Sequence, residues 1–411
     1  MSSQQGYSDF VKLSDKKKIA LVLSGGGVKA AAFHIGVCIA LREKGFKFHG
    51  GVNQNGRLDF EGEALTIRLY VGSSAGSVVA SFLASGHDLD AIVGAFTRGA
   101  GLNSLTRVKT ENSYLKPISY RDIFALNVGA ALPARLLPKI FRRRVSVSGG
   151  IEAALKEAFK INGVFSTKNI ERYIRENVFP ENDFARLKAE LYIVATQLNH
   201  SRKVVFGPFE ETRKTREVKY ANYAKVSEAV AASAALPPFF APYGIRNQKG
   251  KEIYYFDGEI RDTLSTHVAA DQGADLVIAS YSIQPYHYTE EMGSLHEYGM
   301  PAIFNQALYQ VVQRKIEAHI KHQHDVRAMI KAVQGYMGEK EIADEHIAKL
   351  TEILVQRTHF NPDVDYIYIH PSPQDYEFFF YDHFSLSPKV LYGIARTGFK
   401  SAMNTLRAYN I

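Results

Sequence analysis

Two short stretches of the chain carry residue types arranged for chemistry at an ester or a phosphate. The first is Ser24-Gly25-Gly26-Gly27-Val28-Lys29. Three glycines between a strand and the start of a helix leave backbone N–H groups unshielded, and the helix dipole adds positive potential there. Such a loop holds an anion, either a bound phosphate or an oxyanion that develops during a reaction. The second is Gly72-Ser73-Ser74-Ala75-Gly76, a G-x-S-x-G element. On a sharp strand-to-helix turn the central serine projects its hydroxyl clear of the sheet, and Gly72 and Gly76 leave room for the strained backbone. Ser73 reads as its structural neighbour. A serine hydroxyl is a poor nucleophile until a base takes its proton. Two kinds of partner lie downstream. His267, His287 and His296 fit a Ser–acid–His order, while Asp257 follows an apolar strand and precedes Gly258, where the chain can turn. The residues alone leave that choice open.

Other patterns compete for the same residues and fail on detail. Gly25-x-Gly27-x-x-Ala30 matches a dinucleotide loop, which needs an acidic residue about 20 positions on, at the end of a second strand. Glu43 falls in a predicted helix and Asp59 in a turn-rich stretch, so neither serves. No Gly-Lys-Ser/Thr follows the glycines, so the nucleoside-triphosphate loop is absent. His319, His322, His324 and Asp325 share one predicted helix, where a solvated polar face accounts for them as well as a metal does. The single cysteine, Cys38, excludes a disulfide framework and a thiolate metal site. The aromatic run at residues 375–384 (DYEFFFYDHF) reads as core or crevice lining rather than a recognition box.

The elements that must position these residues follow from apolar periodicity. Residues 18–24 (KIALVLS) form a short apolar run that suits a buried parallel strand, and residues 29–44 have the spacing of an amphipathic helix. A second strand at 66–71 leads through the serine turn into a small-residue helix ending near Ser85, so strand, glycine turn and helix occur twice within 90 residues. Later strands are predicted at 190–198, 203–206, 253–256, 275–280 and 364–369, and helices at 166–177, 225–235 and 301–335. Strands interleaved with helices throughout predict an α/β sandwich with a mainly parallel sheet. Residues 69–87 carry no charge, a length close to the ~20 positions of a membrane span. Eight of those residues are Gly or Ser, however, and a buried strand–turn–helix fits them better. With 46% hydrophobic and 22% charged residues, the chain has a core to bury and is not a disordered one. The opening MSSQQGYSDF lacks a basic segment followed by an apolar one, so the expected location is cytoplasmic, or outside by a route without a cleaved signal.

Taken together and in order, these motifs resemble the patatin-like phospholipase family. The glycine loop, Gly72–Gly76 and Asp257-Gly258 occur in that family's order, and the stretch 232–242 (ASAALPPFFAP) resembles the segment ahead of its aspartate. His34-Ile35-Gly36-Val37 resembles its first helix, and residues 384–402 more loosely its closing one. The resemblance implies a three-layer sandwich with a mainly parallel central sheet flanked by helices. It implies Ser74 as nucleophile, Asp257 as sole base, and the amides of Gly25, Gly26 and Gly27 as an oxyanion hole. Lys29 matches the basic position after the glycines, and Gly72, Gly76 and Gly258 support the two turns. No cofactor and no metal are implied. The implied activity is hydrolysis of glycerolipid acyl esters, of phospholipase A or lysophospholipase type, on a phospholipid or lysophospholipid. Acyl transfer on the same site and a non-catalytic lipid- or phosphate-binding role are the alternatives, and a protein activator is left open. Two departures stand out: Glu259 puts a charge where the family usually has Gly or Ala, and the excursion at residues 50–62 is long.

The chain is expected to divide into a polar tail at 1–17, a catalytic core at 18–285 and a mainly helical region at 286–411. A basic, lid-like insertion at 101–147 interrupts the core. It carries nine basic residues against two acidic ones, a net +7 beside the chain's formal +8. Within it, LPARLLPKIFRRRVSV interleaves apolar side chains with Arg142, Arg143 and Arg144, the composition of a peripheral contact with an anionic membrane. No nucleic-acid recognition motif accompanies the charge, so nucleic acid is not an expected partner.

Overall fold

The computed structural model of the chain describes residues 12–53, 63–97, 115–127, 163–200, 202–358 and 360–411. Most of the basic insertion, Arg142–Arg144 included, lies outside these residues, as do much of the 50–62 excursion and most of the N-terminal tail.

In chain order the first elements are β1 (Ile19–Leu23), α1 (Gly27–Glu43), β2 (Lys47–Phe48), β3 (Thr66–Ser73), α2 (Ala75–Ala84), α3 (Leu89–Thr97) and α4 (Tyr120–Ile123). The middle of the chain gives β4 (Ala125–Leu126), β5 (Phe165–Ser166), α5 (Lys168–Asn177), β6 (Glu190–Gln197), β7 (Arg202–Phe206), β8 (Arg213–Lys214), β9 (Val218–Ala221) and α6 (Val226–Ser233). There follow β10 (Tyr243–Arg246), β11 (Glu252–Asp257), α7 (Thr266–Asp271) and β12 (Leu276–Ser280). The last are α8 (Met300–Glu339), α9 (Asp344–Thr358), β13 (Asp365–Ile369), α10 (Glu377–Phe380) and α11 (Pro388–Leu406).

The central sheet runs β13-β12-β1-β3-β6-β7-β9-β8, and the five strands from β13 to β6 are mutually parallel. This is the mixed α/β fold with a mostly parallel sheet that the sequence predicts. Because side chains alternate across a strand, β1 feeds two cores at once. Ile19, Leu21 and Leu23 join the larger one, with α1, α2 and α11, while Ala20 and Val22 join a second beneath α7 and α8. A strand buried on both faces must be apolar throughout, and all five residues of β1 are buried. β13 comes from beyond residue 285 and pairs in parallel with β12, so the C-terminal region contributes to the same sheet.

The exception to the parallel order places the site. β3 pairs with the first part of β6, ending with Ser73 opposite Val194. β11 runs antiparallel along the next part of β6, ending with Asp257 opposite Ala195. Two strands therefore meet end to end on one side of β6, and their last residues lie next to each other.

Candidate active site

Ser74 begins where β3 stops. Its backbone holds φ 50° and ψ −124°, a conformation that a side chain disfavours and that the surroundings must enforce. The Ser74 N–H donates to Ser233 Oγ at 2.8 Å, and Ser233 Oγ in turn donates to Val194 O at 2.6 Å. From the other side, Ser77 Oγ and the Ser77 N–H donate to Ser74 O at 2.6 and 3.0 Å. The glycines around the turn are there for close approach. A Cβ on Gly76 would come within 2.2 Å of Leu23 O, and one on Gly258 within 2.3 Å of Val194 O. Gly72 packs against the backbone of Ser77 in the same way.

Asp257 is almost completely buried, and its carboxyl feels the Ser74 hydroxyl. Its Oδ1 also accepts the Glu259 N–H at 2.9 Å, while Thr196 Oγ1 donates to its backbone carbonyl at 3.0 Å. Burial raises its pKa from 3.8 to about 6, against the opposing pull of the Ser74 hydroxyl and the Glu259 amide. The carboxyl is thus basic enough to accept a proton yet ionised at neutral pH, the balance a general base requires.

The glycine loop faces the same point. Of the three amides expected to form the oxyanion hole, that of Gly25 is already committed, donating to Glu259 Oε1 at 2.8 Å. Among the described residues, the Gly26 and Gly27 amides make no such bond, and they stand at the open N-terminus of α1. Glu259 lies against both Gly25 and Ser74, so closely that a Cβ on Gly25 would meet Glu259 Cγ and Ser74 Cβ at 2.6 Å. Its second carboxyl oxygen is buried without a hydrogen bond, and burial, helped by the charge of Asp257, raises its pKa to about 8.

Several residues support the site through contacts that their motifs do not reveal. His34 on α1 donates from Nε2 to Ser24 O at 2.8 Å, which leaves Nδ1 to accept from Ser280 Oγ at 2.8 Å. Burial lowers its pKa to about 4, so a neutral imidazole ties the loop to β12. His383 donates from Nδ1 to Gly26 O at 3.4 Å, and its own carbonyl accepts the Lys29 N–H at 3.1 Å. Its Nε2 accepts from Tyr309 OH at 3.2 Å. Lys29 is buried with its ammonium 4.4 Å from the Phe378 ring centroid, and burial lowers its pKa to about 7. It binds the aromatic segment to α1 rather than facing Ser74. The run at 375–384 is thus crevice lining and core together: Phe378 is buried, and Phe384 lines the cavity beside Ser74. That cavity, of about 90 Å³, is walled by Val28, Val78, Phe96, Ile174, Phe240 and Phe384. Among the described residues its one charged wall residue, Asp122, is bonded by Ser119 and Lys116. An alkyl chain fits such a lining.

The candidate histidines lie elsewhere. His267 packs against Lys203 and sits 3.7 Å from Asp262, near a separate polar cleft shared with His319 and His322. His319 is held by Thr266 and Gln323 at 3.0 and 3.1 Å. His287 and His296 are exposed.

With the geometry in place, the chain can be set beside known proteins. A family model for patatin-like phospholipase matches residues 21–270, more than half of the chain. The chain belongs to the patatin-like phospholipase family. This is a family of lipid acyl hydrolases, so the protein is a carboxylic ester hydrolase with a lipid substrate. No curated protein matches the chain closely. Among the described residues no helix is long and apolar enough to cross a membrane.

Proposed function

We propose that this patatin-like protein cleaves the acyl esters of membrane glycerolipids, as a phospholipase A or lysophospholipase, through a Ser74–Asp257 dyad. Asp257 takes the Ser74 proton as Oγ attacks the acyl carbonyl, and returns it to the leaving alcohol. The Gly26 and Gly27 amides stabilise the oxyanion where its charge develops, an effect worth about 3 kcal/mol per well-placed donor. Water, activated by the same carboxylate, then releases the fatty acid. The observation that supports this most is the end-to-end meeting of β3 and β11 on β6, which brings Asp257 and Ser74 together. The basic segment around Arg142–Arg144 serves, in this reading, as a rim that docks on anionic lipid; it rests on composition alone.

A fluorophosphonate probe tests the nucleophile. Labelling of Ser74 that disappears in Ser74→Ala is expected, whereas no adduct in folded protein would leave only a binding role. Mass spectrometry after incubation with mixed phospholipids then reports the bond cleaved, and a lipid-acceptor product in place of free fatty acid would show acyl transfer.

A further inference from the structure

The first half of α8 faces two ways. At 3.6 residues per turn, Tyr309 and Ile316 share one side of the helix and are buried. Met300, Ile303, Phe304, Leu308 and Val311 fall on the opposite side and are exposed. Met300 is 81% exposed, Phe304 69% and Val311 56%, so the apolar side chains form a continuous stripe rather than scattered single residues. The next turn ends the stripe with exposed Arg314 and Lys315.

The buried side is fastened to the catalytic loops. Tyr309 reaches His383, which holds Gly26 and packs its carbonyl against Gly27. At the solvent edge of the helix, exposed Lys315 donates from Nζ to Ile260 O at 3.3 Å, three residues after Asp257. This half of the helix is therefore tied to the loops at the end of the sheet from which Ser74, Asp257 and the glycine loop emerge. We infer that the outer stripe of α8, at residues 300–311, is a docking surface for an anionic lipid bilayer that presents this end of the sheet to its substrate. The choice of occupant rests on the acyl-hydrolase reading above and on charge. No Asp or Glu lies between Met300 and Lys315, so a second copy laid on the stripe would offer no carboxylate from it to Arg314 or Lys315. Anionic headgroups beside an apolar interior complement both parts of the surface.

Flotation of the full chain with vesicles of equal phosphatidylcholine and phosphatidylglycerol tests this. Met300→Ser/Phe304→Ser/Val311→Ser should bind about tenfold more weakly or worse, while keeping wild-type thermal unfolding and hydrolysis of a short-chain soluble ester. The single Phe304→Ser, with less disturbance of the helix, should show the same direction. Arg314→Glu should weaken binding at low salt and matter less at high salt. Wild type that does not float, or a triple variant that floats like wild type, would overturn the docking role. So would a wild-type dimer that the triple variant converts to monomer without change in flotation. Flotation needs no turnover, so the two readings separate: stripe-dependent binding by a protein that cleaves no ester supports docking and removes the hydrolase.

Discussion

Asp257 and Glu259 sit two positions apart on one tight turn, and burial gives them different protonation at neutral pH. Asp257, with its pKa raised to about 6, is mostly ionised, and Glu259, raised to about 8, is mostly neutral. We therefore predict that kcat/KM on a soluble ester rises through about pH 6 as the base ionises. It should fall above about pH 8, where a second carboxylate appears beside the forming oxyanion. Glu259→Gln keeps an acceptor for the Gly25 amide and should lose the alkaline fall while keeping the acid rise; an unchanged profile would remove Glu259 from the chemistry. Ser74→Ala and Asp257→Asn should each lower turnover by about 10³-fold or more, whereas His267, His287 and His296 variants should stay active. A histidine variant that is inactive but as stable as wild type would replace the dyad with a triad. Stability should move the other way. The native Asp257 pKa lies above its unfolded value, so between about pH 4 and 6 the folded state holds more protons, and its ionisation costs stability as pH rises. Asp257→Asn removes that cost and should be more stable than wild type at pH 8 by on the order of 2–3 kcal/mol, with the gap closing near pH 3.5. Thermal unfolding at the two pH values measures it.

At the scale of elements, the site depends on how closely helices and strands approach. α1, which carries the glycine loop, crosses α11 where a Cβ on Gly36 would lie 1.9 Å from Ala395 O and one on Gly398 2.1 Å from Phe33 O. Gly36→Ala and Gly398→Ala should each force the helices apart and lower stability by about 1–3 kcal/mol, seen as a reduced Tm. Ser233 on α6 bridges the Ser74 amide to β6 by accepting from one and donating to the other, and it makes a different prediction. Ser233→Ala releases the strained turn, so kcat should fall several-fold with KM little changed. A normal kcat would mean that Ser77 and the sheet hold the turn unaided.

Across the whole molecule the charge is concentrated. The insertion at 101–147 holds a net +7 beside the chain's formal +8, and α8 adds cations at the end of its apolar stripe. Replacing Arg142, Arg143 and Arg144 with glutamine should weaken sedimentation with anionic liposomes and reduce its salt dependence, without affecting a small soluble ester. Sedimentation equal to wild type at low salt would leave α8 as the contact. Hydrolysis of that ester should also survive chelation and desalting, since the proposed mechanism draws its proton transfer and charge stabilisation from Asp257 and the glycine amides; a calcium requirement there would contradict this.

The sequence by itself determined the elements and the local turns, because both rest on short-range physics. Apolar periodicity and glycine-bounded turns marked β1, α1, β3 and β11 to within a residue or two, and put Ser74 and Asp257 at strand ends. The residues alone left the base open between Asp257 and three histidines, since separation along the chain says nothing about which strand end meets which, and the family resemblance pointed to Asp257. What sets Asp257 beside Ser74 is register: an antiparallel β11 continuing along β6 where the parallel β3 stops. The supporting contacts were hidden for the same reason. His34, Ser233 and His383 each fall in a stretch that the sequence singles out, but those stretches lie far apart along the chain, and only packing brings the three side chains to the two turns. Glu259 was visible as a charge beside the base, but its bond to Gly25 and its raised pKa come from burial, a property of the assembled sandwich and not of the residues that flank it.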